Sequence, residues 1–152
     1  MTVSFFGLDF KRIGTTPHGS FPLRIHLHDD AQDDLADPRN VNLANLNARA
    51  FLAFLDLQDQ REDLYGEAPI PEVRRAIMRA RATFHQRAHA FVRRSEIVHG
   101  SPRVNHDGTV ELRPVRVWVG GIDEEYLMRQ LDRLGVLVGE LAERGATHLG
   151  WD

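Results

Sequence analysis

The sequence predicts an α+β fold: a single domain, residues 1–152, in which a mixed β-sheet packs against about three helices and the chain closes with a strand–helix–strand unit. Three observations predict it. Apolar residues alternate with a period of two near the start and again after residue 100, they recur at helical spacing in between and before the end, and 42% of the 152 residues are hydrophobic, enough for a real core. The order strand pair, two helices, hairpin, helix, strand holds too few strand–helix alternations for a doubly wound parallel sheet.

The elements follow in order. Val3 to Phe10 is a short apolar stretch that reads as a first strand, with Gly7 as a bulge or a point of close approach. Thr15 to Pro22 reads as a turn. Phe21, Leu23, Ile25 and Leu27 then alternate with Pro22, Arg24, His26 and His28, which predicts a second strand, paired with the first as a hairpin and carrying both histidines away from the core. Asp29, Asp30, Asp33, Asp34 and Asp37, closed by Pro38, form a solvated acidic loop. Asn40, Asn42, Asn45 and Asn47 offer several N-caps for a helix that buries Leu46, Ala50, Phe51, Phe54 and Leu55 and ends near Asp56. The connection from Gln58 to Pro71 is polar, and Tyr65 is its expected aromatic anchor.

Pro71 suits a helix start, and Val73, Ile77, Ala80, Phe84, Ala88 and Phe91 cluster on one face at 100° per residue. Arg75, Arg79, Arg87, Arg93 and Arg94 fall opposite, so one helix is expected from Pro71 to Arg94. Arg103 to Val119 reads as a hairpin turning at Asp107-Gly108. Val115, Val117 and Val119 begin the closing unit, interrupted by Gly120-Gly121. Asp123 is placed to cap the next helix, with Glu124 and Glu125 at the positive end of its dipole. Leu127, Leu131, Leu134, Val138 and Leu141 form one stripe, and Gly145 suits a left-handed C-terminal cap. A strand over 146–151 is expected to return parallel to 115–119. Gly135 and Gly139 cost helix stability, so something is expected to pass close, most simply the sheet.

Composition narrows the function classes. No cysteine is present, which excludes disulfides, thiolate metal sites and cysteine nucleophiles. The N-terminus lacks the pattern of a signal peptide and no apolar run approaches eighteen residues, so a soluble, cytoplasmic protein with no membrane partner is the expectation. Among nineteen basic residues only Lys11 is a lysine, a bias that points to a GC-rich bacterial or phage genome. Charge is segregated: residues 1–70 balance at −5, whereas 71–103 carry eight arginines against Glu72 and Glu96. Such surfaces can pair within the fold, between subunits or with a charged partner.

Four constellations could carry chemistry. His26 and His28, two apart on one strand face with Asp30 close behind, could present two imidazoles and a carboxylate to a divalent metal. Ala31 stands where a metallo-β-lactamase-type His-x-His-x-Asp-His motif needs its last histidine, so that activity is not carried over. His85 and His89 share the i, i+4 spacing of helical zinc sites but lack the glutamate of a metalloprotease. The arginines from Arg74 to Arg94 could lie along phosphates, against which stand the net acidity and the absence of interleaved aromatics. Gly120-Gly121 precedes a helix, but Asp123, Glu124 and Glu125 would repel an anion there.

Val41 to Ala50 with Tyr65-Gly66-Glu67, and Gly120-Gly121 followed by Tyr126-Leu127 and a Leu-rich helix closing on Gly145 and Trp151, resemble a family of small uncharacterised bacterial and phage proteins. The resemblance implies a single α+β domain and no function. It draws attention to Asn42, Asn45, Asn47, Arg49, Tyr65 and Glu67 as a polar group that could form a shared surface. The leading expectation is a non-enzymatic interaction protein with opposed acidic and Arg-rich surfaces, binding a protein partner or itself and needing no cofactor. The alternative is a small metal-dependent hydrolase using His26, His28 and Asp30, with His106 or His148 brought near by folding. A third reading is nucleic-acid binding through Arg74 to Arg94.

Overall fold

A computed structural model of the chain describes residues 2–25, 27, 39, 41–57, 65–90, 94–100, 102–111, 114–119 and 123–152. The strands are β1 (Thr2–Thr16), β2 (Gly19–Ile25), β3 (Asn42–Ala44), β4 (Gly66–Pro69), β5 (Arg94–His99), β6 (Arg103–Val104), β7 (Val110–Glu111), β8 (Pro114–Val119) and β9 (His148–Trp151). The helices are α1 (Asn45–Phe54), α2 (Ile70–Ala82), the single turn α3 (Phe84–Arg87) and α4 (Glu124–Glu143). The class is α+β as expected. The main sheet runs β2-β1-β9-β4, with β3 also on β1, and its pairings among the described residues are antiparallel.

β1 organises this sheet because it is long enough to serve three strands: Thr2–Ser4 pair with β3, and on one edge Phe5–Leu8 pair with β9, continued by the backbone bonds between Ser4 and Asp152. Its other edge pairs with β2 from Gly7 onward, with an irregularity between Asp9 and Ile13. Gly7 is a point of close approach, not the bulge itself. A Cβ there would lie 2.8 Å from Leu141 Cδ2 and 3.1 Å from Ala146 Cβ, so its missing side chain lets α4 settle onto the sheet. Phe21 and Leu23 were expected in the core, but both are exposed. The β1–β2 hairpin outruns the helices; of that stripe Ile25 is in the core and Leu27 packs partly buried against it.

The three long helices bury the stripes read from sequence. Phe51 and Phe54 of α1 with Leu55 at its C-cap, Val73, Ile77 and Ala80 of α2, and Leu127, Leu131, Leu134, Val138 and Leu141 of α4 meet Leu149 and Trp151 of β9 in one core. α4 starts as predicted, with the Tyr126 amide donating to Asp123 Oδ1 at 3.0 Å. It ends with Gly145 at φ 89°, the Gly145 amide donating to Ala142 and the Ala146 amide to Leu141, a full Schellman motif. The asparagines do not cap α1. Ala44 ends β3 and is itself the N-cap with no side-chain bond, which leaves Asn45 already inside the helix.

Three expectations fail for reasons of packing. The helix from Pro71 does not continue to Arg94: it ends at Ala82, where Thr83 leaves helical geometry (φ −108°, ψ 13°) and its hydroxyl donates to the Arg79 carbonyl. The break turns Phe84 onto Phe54, ring centroids 5.7 Å apart, and Arg94 opens β5 instead. β9 does not pair with 115–119. Only four residues separate α4 from β9, so the returning strand stays on the sheet that α4 covers, between β1 and β4, while β8 pairs with β5. Tyr65 is no anchor, at 68% exposure; the following residues, Gly66–Pro69, form an edge strand on β9.

Candidate functional site

The arginines separate into two groups according to what lies beside them. Arg87 reaches back to the end of α1, where Nη1 and Nη2 donate to the two carboxylate oxygens of Asp56 at 3.0 and 2.8 Å. The Arg87 hydrogen bonds, with the charges of Arg87 and Arg79, hold the Asp56 carboxyl below its ordinary range. Asp56 has φ 57°, a left-handed conformation Asp tolerates at a helix end, so the pair clamps the point where α1 stops. Arg81 donates to Asp132 of α4 at 2.9 Å and its guanidinium lies 3.1 Å from where a Cβ on Gly135 would be. It is therefore an arginine from α2, not the sheet, that passes close to Gly135, while among the described residues nothing lies within 4 Å of a Cβ on Gly139.

Arg74 and Arg75 behave differently. Both are exposed on the outer face of α2 and neither makes an ion pair among the described residues. One turn on, Met78 is 70% exposed, so the two guanidinium groups flank an apolar side chain at i−4 and i−3. Arg79 is exposed beside them. Of the remaining predicted arginines, Arg93 lies outside the described residues and Arg94 is in a strand, so Arg74 to Arg94 do not lie on one continuous helix.

The other predicted groups are dispersed. His26, His28 and Asp30 lie outside the described residues, as do Gly120 and Gly121. Among the described residues no group of three or more His, Asp or Glu side chains could hold a metal ion. His148 opens β9, its Nδ1 2.9 Å from Thr147 Oγ1 and its ring 4.3 Å from that of Phe10, whereas His106 sits in the turn between β6 and β7. His85 is on α3 and His89 in the 3-10 turn after it, so the two do not share an α-helix. Asn42 is in β3 and Asn45 opens α1; Asn47 is half-buried, and Arg49, Tyr65 and Glu67 are exposed.

Two polar residues escape sequence reading. Asp9 is buried in β1, accepts from Arg12 Nε at 2.7 Å and from the Lys11 amide at 2.9 Å, and its carboxyl is held below the ordinary range chiefly by the Arg12 hydrogen bond. The signal was a lone carboxylate in an apolar strand followed by two cations. Gln130 is buried on α4 between Leu127 and Leu131, and its Oε1 has no hydrogen-bond partner among the described residues. A second exposed feature is the β5–β8 hairpin, on which Ile97, Val98 and Val115 are exposed.

No helix among the described residues is long and apolar enough to cross a membrane. Compared with family models, curated proteins and solved structures, the chain matches none.

Proposed function

We propose that this chain is a non-enzymatic interaction protein that receives an acidic segment of a protein partner on the outer face of α2. What carries the reading is the contrast within one helix region: Arg81 and Arg87 are paired inside the fold, while Arg74 and Arg75 flank exposed Met78 with no carboxylate of their own among the described residues. Arginine and methionine are enriched at protein interfaces, arginine for bidentate recognition of carboxylates and methionine for adaptable apolar contact. The break at Thr83 favours a protein over a nucleic acid, because it leaves a short basic patch where a phosphate-tracking surface needs a long one. The acidic stretch 29–37 supplies the opposite charge on the same chain.

The test is quantitative capture on immobilised protein, wild type beside the charge-reversed Arg74→Glu/Arg75→Glu. Both residues are exposed, so the variant folds as wild type does. The wild type retains a partner at physiological salt, and the reversed variant retains at least tenfold less of it. Equal retention by the two would contradict the assignment to α2.

A further inference from the structure

β1 is built for burial on both faces. On one face Gly7 meets Leu141 of α4, and Phe5 packs on Phe51 of α1. On the other, a Cβ on Gly150 would meet the Phe6 ring and Leu8 Cδ1, the Phe10 and His148 rings lie 4.3 Å apart, and the Arg24 guanidinium stacks on Phe6 at 3.3 Å. Ile13 sits opposite Pro22, two residues before Arg24, and so continues this second face into the projecting hairpin. An antiparallel sheet with one wet face alternates apolar and polar residues, whereas the run Phe5-Phe6-Gly7-Leu8 is apolar throughout, the pattern of a strand covered on both sides. Phe6 and Leu8 nevertheless stand outside the core that the helices cover, and Phe10 and Ile13 are 40% and 63% exposed.

The charges on this face select its occupant. β2 and β4, the outermost strands of the row β2-β1-β9-β4, each contain a proline, Pro22 and Pro69, which blunts growth of the sheet at its edges and leaves the face as the place of contact. Arg24 lies at the β2 side and Glu67 at the β4 side. Arg24 Nη2 donates to Asp152 Oδ2 at 2.9 Å, one bond from a group with five donors. Glu67 is exposed and makes no ion pair among the described residues. The two are level along the strands, because the Arg24 guanidinium lies over Phe6 and Phe6, Gly150 and Glu67 form one register row.

A twofold axis running along the strands, midway between two stacked sheets and between β1 and β9, keeps that level and lays β2 of one copy over β4 of the other. Each Arg24 then faces the Glu67 of the second copy, and the apolar residues meet between the two pairs. Packed sheets lie about 10 Å apart, a gap that an arginine and a glutamate side chain span together. An axis across the strands through the same row would lay β2 on β2 and β4 on β4, with Arg24 against Arg24 and Glu67 against Glu67.

We propose that two copies of this chain dimerise face to face through the helix-free side of the main sheet, with Phe6, Leu8, Phe10 and Ile13 at the centre and reciprocal Arg24–Glu67 pairs at the two sides. The contact is isologous and closed, so it stops at two chains, and it leaves the outer face of α2 open.

The test uses the reciprocity of the charge pair. Sedimentation equilibrium of the full chain gives a dimer for wild type, monomers for Glu67→Arg and for Arg24→Glu, and a dimer again for Arg24→Glu/Glu67→Arg, in which the same pair forms with its sense reversed. A separate arm uses the absence of native cysteine. Oxidised Arg24→Cys/Glu67→Cys runs at twice the chain mass without reductant, and neither single cysteine variant does. A monomeric wild type would give the face to a different partner and overturn the proposal. So would a Glu67→Arg variant that stays dimeric or a double reversal that stays monomeric. If the charge-reversed variants fail to fold, a double cysteine variant that does not cross-link would overturn it as well.

Discussion

Individual carboxylates decide where this fold is sensitive to pH. Asp9 is buried in β1 and its pKa lies below the ordinary value because Arg12 and the Lys11 amide favour its charged form. A depressed folded pKa means that the contribution is fully present above the unfolded value, about 3.9, and is lost as the pH falls through the folded value. Wild type is therefore expected to exceed Asp9→Asn in denaturant midpoint at pH 7, with the gap closing below about pH 4. A gap that persists unchanged to pH 2 would assign the effect to shape and not to charge. Asp9 shows how far single residues are legible. A lone aspartate in an apolar strand marked a special position, but that it folds back onto Arg12 became clear only with the irregularity between Asp9 and Ile13. Arg87 was read as outward-facing for the same reason: only the left-handed turn at Asp56 brings that carboxylate to it.

The helices show which signals survive translation into structure. α4 is legible throughout because its cap, its leucine stripe and its glycine stop are all local, within one turn of the residues they serve. Its two interior glycines are separable by experiment. Gly139→Ala is expected to raise stability by up to about 1 kcal/mol, since alanine is the better helix former and its methyl meets nothing within 4 Å among the described residues. Gly135→Ala is expected to gain less, because its methyl displaces the Arg81 guanidinium and weakens an exposed pair with Asp132. Urea denaturation of both variants checks the order. The end of α2 was illegible, because Thr83 interrupts a periodicity that runs on through Phe84 and Ala88, and the interruption depends on Phe54 from another helix. β4 was illegible too: Gly-Glu-Ala-Pro has no alternation, and it is a strand because β9 offers an edge and Gly66 leaves room for the Trp151 ring.

At the scale of the molecule, the α+β class followed from the order of periodicities, and the topology did not. Four residues, His148–Trp151, fit equally well beside β8 or β1, and their place is settled by how α4 docks. The same distance between local pattern and assembly separates the surfaces. The arginine content of 71–103 is plain in the sequence, but its division into structural and free charge depends on Asp56 and Asp132, the former far along the chain from Arg87 and the latter from Arg81. Sequence pointed to an interaction surface, and the surface we propose for it is narrower: Arg74, Arg75 and Met78.

That division is the centre of the account, and equilibrium unfolding tests it most directly. Arg74→Ala/Arg75→Ala is expected to match wild type within about 0.5 kcal/mol, as surface changes without partners do. Arg87→Ala, which breaks the bidentate pair with Asp56, is expected to lose about 1 kcal/mol. A double variant that loses as much as Arg87→Ala would mean that the outer arginines of α2 serve the fold, and the surface assigned to a partner would have to be withdrawn.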